Sequence, residues 1–219
     1  MQVSSWYKEN YPSTNFRGYG TGWSLADYGG KKIVSHGGGY DGMYSRVVMV
    51  PEAKLGIVVL TNTMKGISTN LCNYIVDHLL MMPDQKDWSA SGLESQKRGD
   101  AWRAERVAKR VKARVPETNT TLGLTSFIGT YHADMYGEIE IVMENRELQM
   151  RILSAPALNA NLSHWHYNTF EIQWEETHAW FGFGTLRFEL DNNNEVIGAV
   201  FDVPNDDIFF EEIELEKIK

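Results

Sequence analysis

Beyond Thr121 the chain has almost no helical periodicity. Instead, short runs of alternating apolar and polar residues follow one another at even spacing, near positions 127–131, 138–144, 147–151, 161–166, 170–174, 184–190, 196–203 and 209–215. Period-two alternation gives each run one face for a core and one for solvent. Glu144-Asn145-Arg146 and Asp191-Asn192-Asn193-Asn194 have hairpin-turn chemistry. About eight strands joined in this way form an up-and-down meander, which removes its unpaired edges by closing into a barrel. The aromatics Trp165, Phe170, Trp174, Trp180, Phe181, Phe183, Phe188 and Phe201 either fill a small barrel or line a ligand cavity, and filling is the commoner arrangement.

The first 83 residues read differently. Gly-rich turns alternate with β-rich runs at 22–26, 32–35, 43–50 and 55–62, and Pro51-Glu52-Ala53-Lys54 joins the last two as a hairpin. From Ile67, apolar residues recur at Leu71, Ile75 and Leu79 until Pro83, the pattern of an amphipathic helix laid on a sheet. Residues 84–121 form a charged linker carrying a helix that Pro116 ends. In it a weak stripe of Ala104, Val107, Ala108, Val111 and Val115 would rest on a neighbour. Arg103, Arg106, Lys109, Arg110, Lys112 and Arg114 would then stay in solvent. The expected fold class is α+β: a partial antiparallel sheet with a packed helix over 1–83, the helical linker over 84–121, and an antiparallel barrel over 122–219.

A net charge of −8 disfavours nucleic acid as the main partner, because phosphate binding needs a cationic face. No apolar run is long enough to span a membrane, and residues 1–10 lack the apolar stretch of a signal peptide. The single cysteine, Cys72, excludes an internal disulfide and sits in an apolar run where a buried thiol is inert. No cofactor is expected. His164 and His166, two apart on a strand, would share a face as metal ligands do, with His132, Asp134 or His178 as a third ligand by residue type alone. A polar cluster beside Trp165 and Tyr167, with no metal, is the preferred reading.

The densest chemistry lies in Val34-Ser35-His36-Gly37-Gly38-Gly39-Tyr40-Asp41-Gly42. Gly37, Gly39 and Gly42 satisfy the spacing of a dinucleotide-binding loop. That loop must open a helix, whereas residues 43–50 read as a strand. Three glycines after a histidine at a strand end instead mark backbone that something else approaches closely, and a substrate is one such group.

Here the sequence resembles the serine β-lactamase and penicillin-binding-protein superfamily, through Gly22-Trp23, His36-Gly37-Gly38-Gly39, and the hairpin from Pro51 to Gly56 that leads into Val58-Val59-Leu60-Thr61-Asn62. The resemblance implies that His36-Gly37-Gly38 stands for the family's third motif, in the His-x-Gly form found in some esterase and peptidase branches. Gly39 would then donate its N–H to an oxyanion hole. Gly37, Gly38 and Tyr40 would border a peptide-like or ester substrate paired along the strand edge. From about Thr125 the chain resembles a domain of unknown function often appended to such hydrolases, with a lipocalin-like barrel, through Tyr136-Gly137 and His164-Trp165-His166-Tyr167-Asn168-Thr169-Phe170. A periplasmic or extracellular setting is implied by the resemblance alone.

The family's nucleophile motif, Ser-x-x-Lys, is matched by letter at Ser5-Trp6-Tyr7-Lys8, and the Ser-x-Asn form of the second motif at Ser13-Thr14-Asn15. Both lie within about 30 residues of His36, too close for the helical domain that separates nucleophile from third motif in this family. The chain is therefore expected to be the C-terminal part of a hydrolase, inactive alone, with an exposed sheet edge. Either the missing N-terminal hydrolase portion or a homo-oligomer partner would cover that edge. The alternative is a ligand-binding or interaction module built on the barrel.

Overall fold

The computed structural model describes residues 11, 13–83 and 85–218. It divides into two compact units, 1–100 and 101–219.

The first unit is a five-stranded antiparallel sheet in sequential order: β1 (Arg17–Gly20), β2 (Trp23–Tyr28), β3 (Lys31–Tyr40), β4 (Met43–Val50) and β5 (Leu55–Thr61). Two-residue turns join the first three strands. Thr21 and Gly22 have φ of 49° and 82°, and Gly29 and Gly30 have 56° and 74°, the left-handed geometry that matches strand twist. The register Ser35↔Val48↔Ile57 puts Ile33, Ser35, Val48, Val50, Ile57 and Val59 on one face, with His36, Val47, Val58 and Leu60 on the other. Helix α1 (Ile67–Leu79) covers the first of these faces, where Val48, Val50, Ile57, Cys72 and Val76 form the core.

Of the expected stripe only Ile75 packs against the core, and the helix meets the sheet mainly through its neighbours. Ser68, Cys72, Val76 and Asp77 are buried, while Ile67, Leu71 and Leu79 are exposed. Small side chains at Ser68 and Cys72 let the backbone come close to the strands, which the larger Ile67–Leu71 edge does not. Burial raises the Cys72 thiol pKa, in keeping with an inert thiol. Asp77 pins the layers together: it accepts the Tyr28 hydroxyl at 2.6 Å and the Trp88 indole N–H at 2.5 Å. Trp88 opens helix α2 (Trp88–Ala113).

The second unit holds eight antiparallel strands closed into a barrel: β6 (Gly129–Ala133), β7 (Gly137–Glu144), β8 (Glu147–Ile152), β9 (Ala160–His166), β10 (Thr169–Trp174), β11 (Thr185–Leu190), β12 (Val196–Asp202) and β13 (Glu214–Lys217). Neighbours in sequence are neighbours in the barrel, and β13 closes on β6 through Glu216↔His132 and Lys217↔Tyr131. Aromatic rings fill the interior. Phe188 lies 4.7 Å from Phe127 and 5.6 Å from Phe170, and Phe181 lies 4.9 Å from Trp174 and 5.0 Å from Phe210. Gly198 is required where β12 meets β13, because a Cβ there would strike the Leu215 carbonyl.

Within this unit the 101–113 stretch of α2 reverses the expected polarity. Ala104, Ala108, Val111 and Val115 are exposed, while the arginines hold the barrel. Arg110 grips both oxygens of Asp202, with Nε at 2.9 and 2.8 Å. Arg106 donates to Asp206 at 2.6 Å and to the Asn205 carbonyl at 2.9 Å, and Arg103 reaches Asp206 at 3.2 Å. Arg114 donates to the Trp165 carbonyl at 2.9 Å and lies 4.5 Å above its ring. Charge-assisted forks on carboxylates and an aromatic face hold better than the few methyl groups of an Ala/Val stripe. Lys109 and Lys112 stay exposed, as expected.

Candidate active site

Strand β3 outruns its neighbour. Its register with β2 stops at Ser24↔Ser35, while pairing with β4 continues from Val34↔Met49 to Tyr40↔Met43. Residues 36–40 therefore have β4 on one side and, among the described residues, an unpaired edge on the other. Low strand propensity in the glycines is overridden by this ladder and by crowding behind it. A Cβ on Gly37 would lie 3.3 Å from Arg46 Nη1, and one on Gly38 would lie 3.3 Å from Ser45 Oγ. The backbone can thus be approached from the open side while side chains of β4 lie flat against the other.

His36 is exposed on the sheet face opposite α1. Its Nε2 is 3.3 Å from the Tyr19 hydroxyl, and Trp23 meets its ring edge-on at a centroid distance of 6.2 Å. An open hollow of about 440 Å³ gathers His36, Gly37, Gly38 and Gly39 with Tyr19, Ser24, Ser45 and Arg46, bordered by Ser68 and Thr69 at the start of α1. Tyr40, also expected at the site, lies at the hairpin tip, 76% exposed and outside this lining. Tyr19 has no counterpart in the sequence reading. The only signal for it was the Thr-Gly turn that closes the hairpin from β1 to β2.

The hollow contains hydroxyls, yet among the described residues none of Ser24, Ser45, Ser68 and Thr69 is hydrogen-bonded to His36. Ser45 donates to the Gly38 carbonyl at 3.4 Å. Ser5-Trp6-Tyr7-Lys8 lies outside the described residues. The Ser13-Thr14-Asn15 match is spent on structure. Asn15 donates its backbone and side-chain N–H groups to Asp27 at 2.7 and 2.8 Å, and Thr14 donates to the Asp27 carbonyl at 2.8 Å. Burial pushes the Asp27 pKa up, but the N–H groups of Phe16 and Asn15 outweigh it and hold the carboxyl below its usual value.

The barrel histidines do not converge. A register shift sets His166 opposite Thr169 and His164 opposite Phe170, with Trp165 bulged out between them. Adjacent residues of β10 face opposite ways, so the two imidazoles do as well. His164 Nε2 lies 2.9 Å from the Tyr167 carbonyl, and His166 Nδ1 accepts the Val115 N–H at 3.1 Å. The shared face expected from their spacing is thereby corrected. No group of three metal-ligating side chains occurs among the described residues.

Residues 2–80 match the family model described as Beta-lactamase, and residues 113–217 match the one described as Domain of unknown function (DUF3471). The chain joins a β-lactamase-family segment to a DUF3471 domain. Unguisins hydrolase ungD of Aspergillus violaceofuscus is 31% identical over 133 residues, which are 58% of this chain and 24% of that protein. The chain thus spans about a quarter of the curated relative it matches. Among solved structures, SurE with D-Leu is 14% identical, covering 92% of this chain and 39% of that one at a TM-score of 0.36. The octameric penicillin-binding protein homologue from Pyrococcus abyssi is 17% identical, covering 98% and 42% at a TM-score of 0.31. At such scores neither likeness carries an argument. Within the β-lactamase-family segment lie every strand of the five-stranded sheet, helix α1 and the His36 hollow.

Proposed function

We propose that the β-lactamase-family segment is one wall of a serine-hydrolase active site, completed by polypeptide outside these 219 residues. The observation that carries this is the unpaired edge of β3 from His36 to Tyr40, backed by glycine and flanked by an exposed imidazole. An extended peptide-like or ester substrate would pair with that edge through its main chain. The missing portion would bring the nucleophile. Its hydroxyl attacks the carbonyl while the Gly39 N–H steadies the oxyanion, the C–O or C–N bond breaks to leave an acyl-enzyme, and His36 helps pass the hydroxyl proton to the departing alcohol or amine. Water then cleaves the acyl-enzyme, releasing the acid and restoring the hydroxyl.

The uncovered face of the sheet supports the same reading. Val58 is 64% exposed and Leu60 75% exposed on the face that carries His36. The run Val47–Val50 of β4 and the body of β5 are continuously apolar, the composition of strands buried on both faces. The same missing portion would lie there. A ligand-binding barrel is the second reading, but its interior is filled by the Phe127–Phe170–Phe188 cluster, so such a ligand would have to use the outer surface.

The test is to incubate the chain with a fluorescent penicillin and a chromogenic short-chain ester, beside a Ser5→Ala variant. Neither labelling nor turnover is expected. Labelling that Ser5→Ala abolishes would overturn the proposal. In a chain extended by the nucleophile-bearing portion, His36→Ala should lower kcat/KM about a hundredfold, the typical share of a proton-transferring side chain. Unchanged turnover there would remove His36 from the chemistry.

A further inference from the structure

The face of the sheet under α1 is apolar at Val48 and Val50 of β4 and along β5, but polar at Arg46 and toward β1 and β2. Between Tyr11, the first two strands and α1 lies a cavity of about 240 Å³. Two guanidinium groups, Arg17 and Arg46, line it, and no carboxylate does among the described residues. The two buried acids of this unit are engaged elsewhere: Asp27 accepts N–H groups of Asn15 and Phe16, and Asp77 accepts from Tyr28 and Trp88. Arg46 Nη2 donates to Ser35 Oγ at 3.3 Å. Its Nε is buried and has no hydrogen-bond partner among the described residues. A buried cationic donor without an acceptor is costly, and such groups are normally paired.

The surroundings define what would pair it. Ser35 accepts from Arg46, so its own hydroxyl hydrogen can serve a second acceptor beside Nε. Ile33, Val48 and Val76 supply an apolar wall. Burial raises the Tyr11 hydroxyl pKa; its hydrogen bond with Asn73 and then the positive charges of Arg46 and Arg17 act against that rise, and the Asp77 carboxylate adds weakly to it, so the cations outweigh the one acid that reaches this space. A planar guanidinium edge, one hydroxyl and an apolar wall suit a short aliphatic carboxylate.

We propose that this cavity is a carboxylate-binding site, with Arg46 Nε–H and the Ser35 hydroxyl holding the anion and Ile33, Val48 and Val76 its chain. The carboxylate is either a free short-chain acid or a side chain from polypeptide outside these residues. Arg46 also borders the His36 hollow, so the two sites are neighbours, but the carboxylate proposal does not rest on the hydrolase reading.

Thermal unfolding of the chain, titrated with acetate and with butyrate against chloride at equal ionic strength, tests the proposal. Saturable stabilisation is expected, tighter for butyrate, with affinity at least about tenfold weaker in Arg46→Met and reduced in Ser35→Ala. Should Arg46→Met fail to fold, Arg46→Lys and Ser35→Ala serve in its place, since each keeps the charge and loses part of the geometry. No saturable response in the chain, or an unchanged response in the variants, overturns the site. Repeating the titration on a chain extended by the rest of a β-lactamase-family domain separates the sources. Retained butyrate binding identifies a free acid as ligand, and loss there alone identifies a side-chain carboxylate.

Discussion

Phe188→Ala should destabilise the barrel by about 3–5 kcal/mol, the range for deleting a buried aromatic ring from a packed core. Phe188 is 2% exposed and touches three other rings, those of Phe127, Tyr131 and Phe170. It is held on a closed barrel whose strands cannot collapse inward without breaking ladders on both sides. The cavity left behind will therefore relax little. Hydrogen exchange read by peptide mass spectrometry is the suitable measurement, because it separates the two units. Peptides from β6 to β13 should exchange about two to four orders of magnitude faster, while those from β3 to β5 stay unchanged. Equal acceleration in both sets would mean that the units unfold as one.

Asp77→Ala is the second large effect, about 2–5 kcal/mol, and it falls on the first unit. The carboxylate is 2% exposed and satisfies one buried and one half-buried donor, so its removal strands the Trp88 indole N–H and leaves the Tyr28 hydroxyl without its partner. Asp77→Asn keeps one carbonyl oxygen and should cost less. The Tyr28 hydroxyl supplies a specific readout. Burial first, then its hydrogen bond to Asp77 and the charge of that carboxylate, hold its pKa well above the ordinary phenol value. Ultraviolet titration of Asp77→Ala should find it lowered, though still raised by burial. An unshifted phenol would show that Asp77 does not govern that site.

The strands of the barrel were legible because alternation and turn residues act locally, and Glu144-Asn145-Arg146 and Asp191-Asn192-Asn193-Asn194 mark hairpins wherever they occur. Asn145, Arg146 and Asn194 do adopt positive φ. Strand β1 was not legible, since half of Arg-Gly-Tyr-Gly is glycine, which disfavours strands, and it is held by pairing with β2. The same override carried β3 five residues past Ser35, where the strand had been expected to stop. The packing side of α1 was misread because the larger apolar residues were given the core. The sheet instead selected the smaller ones, which permit a closer approach.

At the candidate site, His36 and its glycines stood out by composition. Tyr19 and Arg46 did not, because their relevance comes from cross-strand neighbours rather than from spacing along the chain. The bulge at Trp165 shows the converse. His164 and His166 have the spacing of a ligand pair, and one extra residue in the ladder turns them apart.

The arginine-faced attachment of α2 gives the second unit an unusual response to its solvent. A lyotropic salt such as sulfate strengthens burial in the aromatic interior, yet its ions screen the exposed pairs between Arg103, Arg106, Arg110 and the carboxylates of Asp202 and Asp206. Rising salt therefore pulls in two directions within one unit, tightening the barrel while loosening the helix that rests on it. Conditions chosen to maximise the melting temperature would be those in which the helix is least well held.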